Sequence, residues 1–193
     1  MSPAKLARSG PTGCGQPAFA HTLITLVDRL SNTPAVVVND IGDILGTNVL
    51  ACELFSEFTI RDNLVRMTFL DPAAALCEDV WRDQARDAIG TLRRAYHQAP
   101  YNNATSNLVS ELLRLSGPFR TMWMQQDWAA SNRATRVFHH REVGVLVVDE
   151  VVLGSAAEPG TTVLVYVPTP GSFSDDSLRI LGSMRASSGD HPN

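Results

Sequence analysis

The sequence predicts an α+β fold, a five-stranded antiparallel sheet covered by helices. Three observations carry this expectation. Two stretches rich in β-branched residues, 35–47 and 133–168, stand on either side of a helical middle. Within each stretch the strand-like runs are joined by only a few residues, which suits antiparallel hairpins and leaves no room for a parallel crossover. Residues 143–153, VGVLVVDEVVL, are apolar at both odd and even positions. A strand with one wet face would alternate, so this sheet is expected to be covered on both sides.

The elements follow in order. From Phe19, apolar residues at Thr22-Leu23, Leu26-Val27 and Leu30 recur at helical spacing, and Ser31-Asn32-Thr33-Pro34 ends that helix. Residues 35–39 form a short strand, Asp40-Ile41-Gly42 a turn, and residues 43–47 the returning strand. Asn48 is placed to cap a helix carrying Val49, Leu50, Leu54, Phe55 and Phe58. Asn63 caps a segment through Leu64, Met67 and Phe69, and Asp71-Pro72 reads as the start of a long helix. That helix places Trp81, Ala85, Ala88, Ile89, Leu92 and Tyr96 on one stripe, with arginines and aspartates opposite. Leu108, Leu112 and Leu115 mark the next helix, and Pro118 opens another bearing Phe119, Met122 and Trp123.

Three strands then follow at 133–139, 143–153 and 161–168, the last after the turn signal Glu158-Pro159-Gly160. Ser174, with Asp175 and Asp176 behind it, caps a final helix. Residues 1–17 and 186–193 read as disordered tails around one domain at 18–185.

Composition limits the function. Hydrophobic residues make up 44% and charged residues 19%, which places the chain among ordinary globular domains. No apolar run reaches the roughly 20 residues that span a bilayer, and the N-terminus lacks a signal-peptide pattern, so a cytoplasmic location without membrane association is expected. Lys5 is the only lysine, and the arginines are scattered on a chain of net charge −4. Nucleic-acid binding would want a clustered basic stripe. Cys14, Cys52 and Cys77 show no C-x-x-C spacing and read as free thiols, the latter two in helices.

The order of two strands, several helices and three strands is also that of PAS-type sensor domains. The residues themselves resemble the ligand-binding domain of MmyB-like transcription regulators over about residues 20–184. The likeness is carried by Asn32-Thr33-Pro34-Ala35, Asn63-Leu64-Val65-Arg66 and Phe69-Leu70-Asp71-Pro72-Ala73. It continues through Trp81, Ala85-Arg86, Leu92-Arg93, Leu112, Phe119 and Trp123. It closes on Phe138-x-His140-x-Glu142-Val143-Gly144, Val165-Tyr166, Pro170-Gly171-Ser172 and Leu178.

The resemblance implies a PAS-like domain that holds a small apolar molecule such as a fatty acid and controls transcription. The chain departs from the family pattern in three places. Only a short stretch precedes the first helix, where the family has a DNA-binding helix-turn-helix, so direct DNA binding by these residues is not expected; the DNA upstream of Met1 would show whether the start is mis-called. Leu45-Gly46-Thr47-Asn48 stands where the family has Leu-Ala-Trp-Asn. Gln126-Asp127-Trp128 and His140-Arg141 replace the usual His-Asp-Val and His-Pro.

Met67, Phe69, Trp81, Phe119, Met122, Trp123, Phe138 and Tyr166 are the candidate lining of an apolar pocket, and the same stripes would also serve as core packing. A fatty acid would need its carboxylate paired or left at the mouth, and Arg136, His140 and Arg120 are the candidate partners. His139 and His140 are adjacent on a strand and point to opposite faces, so they do not chelate one metal together. No metal-ligand spacing, G-x-S-x-G or glycine-rich phosphate loop is present, and no cofactor is expected. Asp149 and Glu150 interrupt an apolar strand and read as an exposed patch or a paired acid at an edge.

The expected function is ligand sensing in transcriptional control, with the ligand between the sheet and the 119–123 helix and the protein a homodimer or a heterodimer with a related regulator. A headless interaction module that dimerises with a full-length regulator is the alternative. An enzyme ranks third for want of a nucleophile and base.

Overall fold

The computed structural model describes residues 18–76, 78–125, 134–154 and 160–188. Helix α1 (Ala18–Asp28) leads into strands β1 (Ala35–Asn39) and β2 (Ile44–Thr47). Helices α2 (Val49–Leu54) and α3 (Leu64–Leu70), a 3-10 turn (Pro72–Leu76), and helices α4 (Glu78–Gln98), α5 (Asn103–Leu115) and α6 (Gly117–Met124) make the helical middle. Strands β3 (Thr135–His140), β4 (Gly144–Gly154) and β5 (Thr161–Pro168) are followed by α7 (Phe173–Ser188). The expected α+β class is therefore observed. Among the described residues, five strands lie in one antiparallel sheet of order β2-β1-β5-β4-β3.

Local chemistry explains the element boundaries. The Asn48 side chain accepts from the Ala51 amide at 2.9 Å, and that of Asn63 accepts from Val65 and Arg66 at 2.8 and 3.0 Å, so both predicted caps hold their helices. Ser116 caps α6 through the Phe119 amide, with Pro118 in the first turn. Three boundaries differ from expectation. α2 ends at Leu54, leaving Phe58 in the following turn. Asp71-Pro72 opens the 3-10 turn rather than α4, because the Asp71 carboxylate also holds the amides of Thr59 and Ile60 at 2.7 and 2.8 Å. α7 is entered from Ser172, whose hydroxyl accepts from the Asp175 amide. Ser174 instead accepts from the Val147 amide at 2.8 Å, replacing a partner that β5 no longer offers beyond Pro168.

Residues 1–17 and 189–193, Cys14, Cys77, the Gln126-Asp127-Trp128 departure and Glu158-Pro159 lie outside the described residues. Residues 186–188 of the expected C-terminal tail continue α7. No described helix is long and apolar enough to cross a membrane.

Among the described residues, packing forms three apolar clusters. On the inner face of the sheet, Val36, Leu146, Val148 and Tyr166 meet Leu54 of α2, Phe55 that caps it, and Leu178 and Leu181 of α7. A second core lies among the helices, where Phe69, Ile89, Leu92, Leu112 and Phe119 join α3 to α6. The third lies on the outer face, where Val27 of α1, with Leu23 and Ile24, packs on Ala35, Val37 and Val163. α1 is thus the second cover that the two-sided strand predicted, but only over β1, β2 and β5. Val145, Val147, Val151 and Leu153 of β4 and Val167 of β5 remain exposed on that same face.

Candidate ligand-binding site

The sheet core and the helical core do not close against each other, and a cavity of about 460 Å³ lies between them. Its volume falls within the range of about 300–1,000 Å³ typical of small-molecule pockets. The sheet supplies one wall through inward-facing residues of β1, β3, β4 and β5, including Val38, Phe138 and Leu164. The opposite wall comes from α3 and α4, and Phe55 and Phe58 close the end next to α2. Phe55, Phe138 and Tyr166 meet pairwise at ring-centroid distances of 5.5 to 5.9 Å and make a stiff aromatic floor.

α4 gives the cavity a different surface. Gln84, Asp87, Ala88, Thr91, Ala95 and Gln98 line it, and their three- and four-residue spacing places them on one helix face. The neighbouring face, with Ala85, Ile89 and Leu92, packs into the helical core. Small side chains at positions 88, 91 and 95 leave the space open. Gly160 of the lining has φ 99°, and a Cβ there would lie 3.0 Å from the Asp40 carboxylate. Glycine satisfies both demands at once.

The sheet brings two charged groups to the cavity, Arg136 and Glu150, besides the polar Asn39 and Thr162. Arg136 Nε and Nη2 donate to the two carboxylate oxygens of Glu150 at 3.2 and 2.9 Å, and Nη2 also donates to Asp87 at 3.1 Å. The side chains are 10%, 14% and 24% exposed for Arg136, Glu150 and Asp87, so the arrangement bridges β3, β4 and α4 largely out of water. Burial pulls the Arg136 pKa down, but the charge and hydrogen bonds of Glu150, and then Asp87, outweigh burial and raise it. Tyr166, opposite Glu150 in the β4–β5 register, has its phenol pKa pushed well above 10.0 by burial first and then by the Glu150 carboxylate.

Of the ten candidate site residues, Met67, Arg136, Phe138 and Tyr166 come together on this cavity. Phe69, Phe119, Met122 and Trp123 sit in or against the helical core instead, where Phe69 and Phe119 meet edge-on at 5.0 Å and Phe119 stacks on Trp123 at 5.3 Å. Trp81 is anchored by its indole N–H on the Thr68 carbonyl at 2.7 Å, beside a minor crevice. His140 is buried at the end of β3, its Nδ1 accepting from the Glu142 amide at 3.1 Å. Arg120, the third candidate for a carboxylate, instead donates to the Leu113 carbonyl on the exposed side of α6.

The cavity is therefore walled by α3 and α4 and not by the 119–123 helix, which packs on α4 and α5. Of this α4 stripe the sequence placed Ala88 on the apolar face and Asp87 on the opposite, polar one, so the two did not read as one surface. The available signal was the run of small residues, Ala88, Thr91 and Ala95, along the stripe.

Asp149 and Glu150 separate as their alternation requires. Asp149 faces outward, exposed as one of the two alternatives expected, though on an internal strand, and accepts from the Thr135 hydroxyl at 2.9 Å. Glu150 faces inward to Arg136.

Comparison with curated proteins finds no match. A sequence model of the MmyB-like transcription regulator ligand binding domain matches residues 20–181. The match covers both the sheet and the helical wall of the cavity, and on it the chain belongs to the MmyB-like transcription regulator ligand binding domain family.

Proposed function

We propose that this domain senses a small apolar molecule, one with an acyl chain like that of a fatty acid, in the cavity between the sheet and helices α3 and α4, and that it acts in cytoplasmic transcriptional control. The observation that carries the reading is the cavity itself, about 460 Å³ with an aromatic floor, in a domain whose family is named for ligand binding. Met67, Phe138 and Tyr166 would touch the ligand, with Arg136 on the polar wall. Val38, Phe55 and Leu164 join them from the lining.

An acyl chain fits the physics of such a floor. Ten buried methylenes would contribute roughly 8 kcal/mol. Lost translational and rotational freedom offsets about 4 kcal/mol or more of that. The remainder corresponds to binding near about 1 mM. Tighter binding has to come from the head group.

Sensing requires that the ligand favour one arrangement of the domain over another, since equal affinity for both shifts nothing. β1 is placed to carry such a difference. Val38 lines the cavity, while Ala35 and Val37 on the other side of the same strand form the seat of α1. α1 would pass the change to a DNA-binding segment or to a partner.

Gently purified protein should carry a small amphiphile in native mass spectrometry, or gain thermal stability from a chain-length-matched set of long-chain acids, alcohols and amines. Ala88→Phe, which fills the cavity, should abolish both effects. Protein that carries nothing and is stabilised by no member of the set would overturn the reading.

The uncovered outer face favours a second reading, as an interaction module. Val145, Val147, Val151 and Leu153 form an exposed apolar row that would suit a homodimer or a heterodimer with a related regulator. Sedimentation analysis, alone and mixed with such a regulator, tests it. Monomers in both cases, unchanged by Val147→Lys, would remove it.

A further inference from the structure

The polar wall of the cavity contains an arginine, and the simplest assignment would give it a fatty-acid carboxylate. The geometry argues against that. Arg136 already meets both oxygens of Glu150 at 2.9 and 3.2 Å and Asp87 at 3.1 Å, in the fork-to-fork arrangement that uses a guanidinium most fully. A carboxylate entering the cavity would have to displace one of these internal partners. Displacing Glu150 would leave an anion buried at 14% exposure against the aromatic floor. If Glu150 stayed, the ligand anion would face it at close range with little water between them, where like charges repel most.

The same carboxylate suits a different head. An ionised glutamate only accepts hydrogen bonds, and its two oxygens offer about four acceptor sites. Arg136 donates one hydrogen bond to each Glu150 oxygen and the Tyr166 phenol is a further partner of that carboxylate, which leaves it acceptor capacity for one more donor in a cavity that Leu164, Val152 and Phe138 also line. A donor brought in on an apolar tail would find an anionic acceptor in a site of low polarity, where a charge-assisted hydrogen bond is strong.

We infer that the Arg136–Glu150–Asp87 wall selects an amphiphile whose head group donates hydrogen bonds, a primary amine above a hydroxyl, and rejects a free carboxylate. The inference rests on the cavity being the ligand site. It concerns the head group alone, because the floor would accept any tail of suitable length. An acid could still turn its carboxylate to Arg94, an exposed residue of the lining, but it would then gain nothing from the buried wall.

Isothermal titration at neutral pH with dodecylamine, dodecanol, methyl dodecanoate and dodecanoate, all below their micellar concentrations, separates the possibilities. The amine should bind about tenfold more tightly than the acid or better, a ratio that roughly 1.4 kcal/mol of differential binding gives, with the alcohol between them. Glu150→Gln keeps the side-chain shape and removes the charge, and it should bring the amine and the acid close together while leaving the alcohol nearly unchanged. Asp87→Asn, on a more exposed position of α4, gives a folded alternative and should narrow the ratio in the same direction. Ala88→Phe should abolish binding of every member, which distinguishes the cavity from general attraction of cations to an acidic protein.

An acid that binds as tightly as the amine would overturn the inference and leave the ligand-sensing reading intact. So would an amine preference unchanged in both charge variants. Failure of all four compounds to bind would overturn both.

Discussion

Arg136→Met tests whether the buried cluster behaves as the geometry requires. The side chains of Arg136 and Glu150 are 10% and 14% exposed, so water screens them little. Removing the guanidinium leaves Glu150 as an unpaired anion beside Tyr166, and Asp87 without one of its partners. Breaking one side of a buried pair costs about 3–5 kcal/mol. For a chain of this size each kcal/mol moves the thermal midpoint by roughly 2–4 °C, so a fall of roughly 6–20 °C is expected. The double variant Arg136→Met/Glu150→Leu removes both buried charges, while Asp87, the most exposed of the three, can turn toward water. Its stability should return to within about 1 kcal/mol of the parent or exceed it, because apolar replacement of a buried pair is often neutral or stabilising. Urea unfolding followed by tryptophan fluorescence and circular dichroism reads both values, provided the slope m is the same in all three proteins. A single variant that loses less than about 1 kcal/mol would show a pair screened like a surface salt bridge, and the picture of a dry polar wall would be wrong.

Other perturbations probe the scaffold around the cavity. Asn48 is 3% exposed and accepts from Ala35 and Ala51 amides while donating to the Leu30 and Thr33 carbonyls. Asn48→Ala should cost about 3 kcal/mol in urea unfolding, the lost cap plus stranded backbone groups. Asn48→Asp, which keeps the acceptors and loses both donations, should rescue little of it. Gly46→Ala would place a Cβ 2.6 Å from Ile24 Cγ1 and lift α1 off the sheet, costing about 1–3 kcal/mol. Ile24→Ala in the same chain should recover part of that loss, and no recovery in the unfolding midpoint would mean the strain lies elsewhere. Tyr166 has a folded pKa above its ordinary value of 10.0. Above that pH the unfolded chain loses the proton first, the native state binds more protons, and stability falls as pH rises through the folded value. Thermal midpoints measured across the alkaline range should fall less steeply in Tyr166→Phe than in the parent, and parallel curves would contradict the assignment.

Local chemistry was legible in the sequence where it is local in space. Asn48 and Asn63 could be read as caps because a cap involves only the next three residues, and both hold their helices. The two-sided apolarity of β4 is a property of the strand alone, and it overstated the cover: α1 reaches β1, β2 and β5, while the outer residues of β4 stay exposed. The cavity was harder to place. Large aromatics mark where helices meet most closely, and Phe69, Phe119 and Trp123 do so. A cavity forms where side chains are too small to fill the gap, as at Ala88, Thr91 and Ala95. Glu150 was ambiguous for a different reason. Its partner lies on the neighbouring strand, fourteen residues away, and only the β3–β4 register brings Arg136 opposite Val148 and within reach of it. Register depends on all the side chains of a pair together and cannot be read from one of them.

The uneven cover of the outer face follows from the strand order. With order β2-β1-β5-β4-β3, the N-terminal strands occupy one end of the sheet, and α1 is tied to that end by the short link to β1. An eleven-residue helix cannot also reach β4 and β3. The apolar residues of β4 therefore divide into two sets with different fates. Leu146 and Val148 are buried by α2 and α7 on the inner face, and Val145, Val147 and Val151 lie beyond the end of α1's cover. The cavity and α1, by contrast, share β1 and β5 as a common wall one residue thick, with Val38 and Leu164 on one side and Val37 and Val163 on the other. A ligand that displaces β1 or β5 by a fraction of an ångström acts on the seat of α1 directly, whereas any effect on the exposed face must pass along β4. The two faces of β4 thus separate the sensing reading from the interaction reading. Substitutions such as Val147→Lys should alter association without altering ligand affinity, and coupling between the two would require β4 itself to have two arrangements.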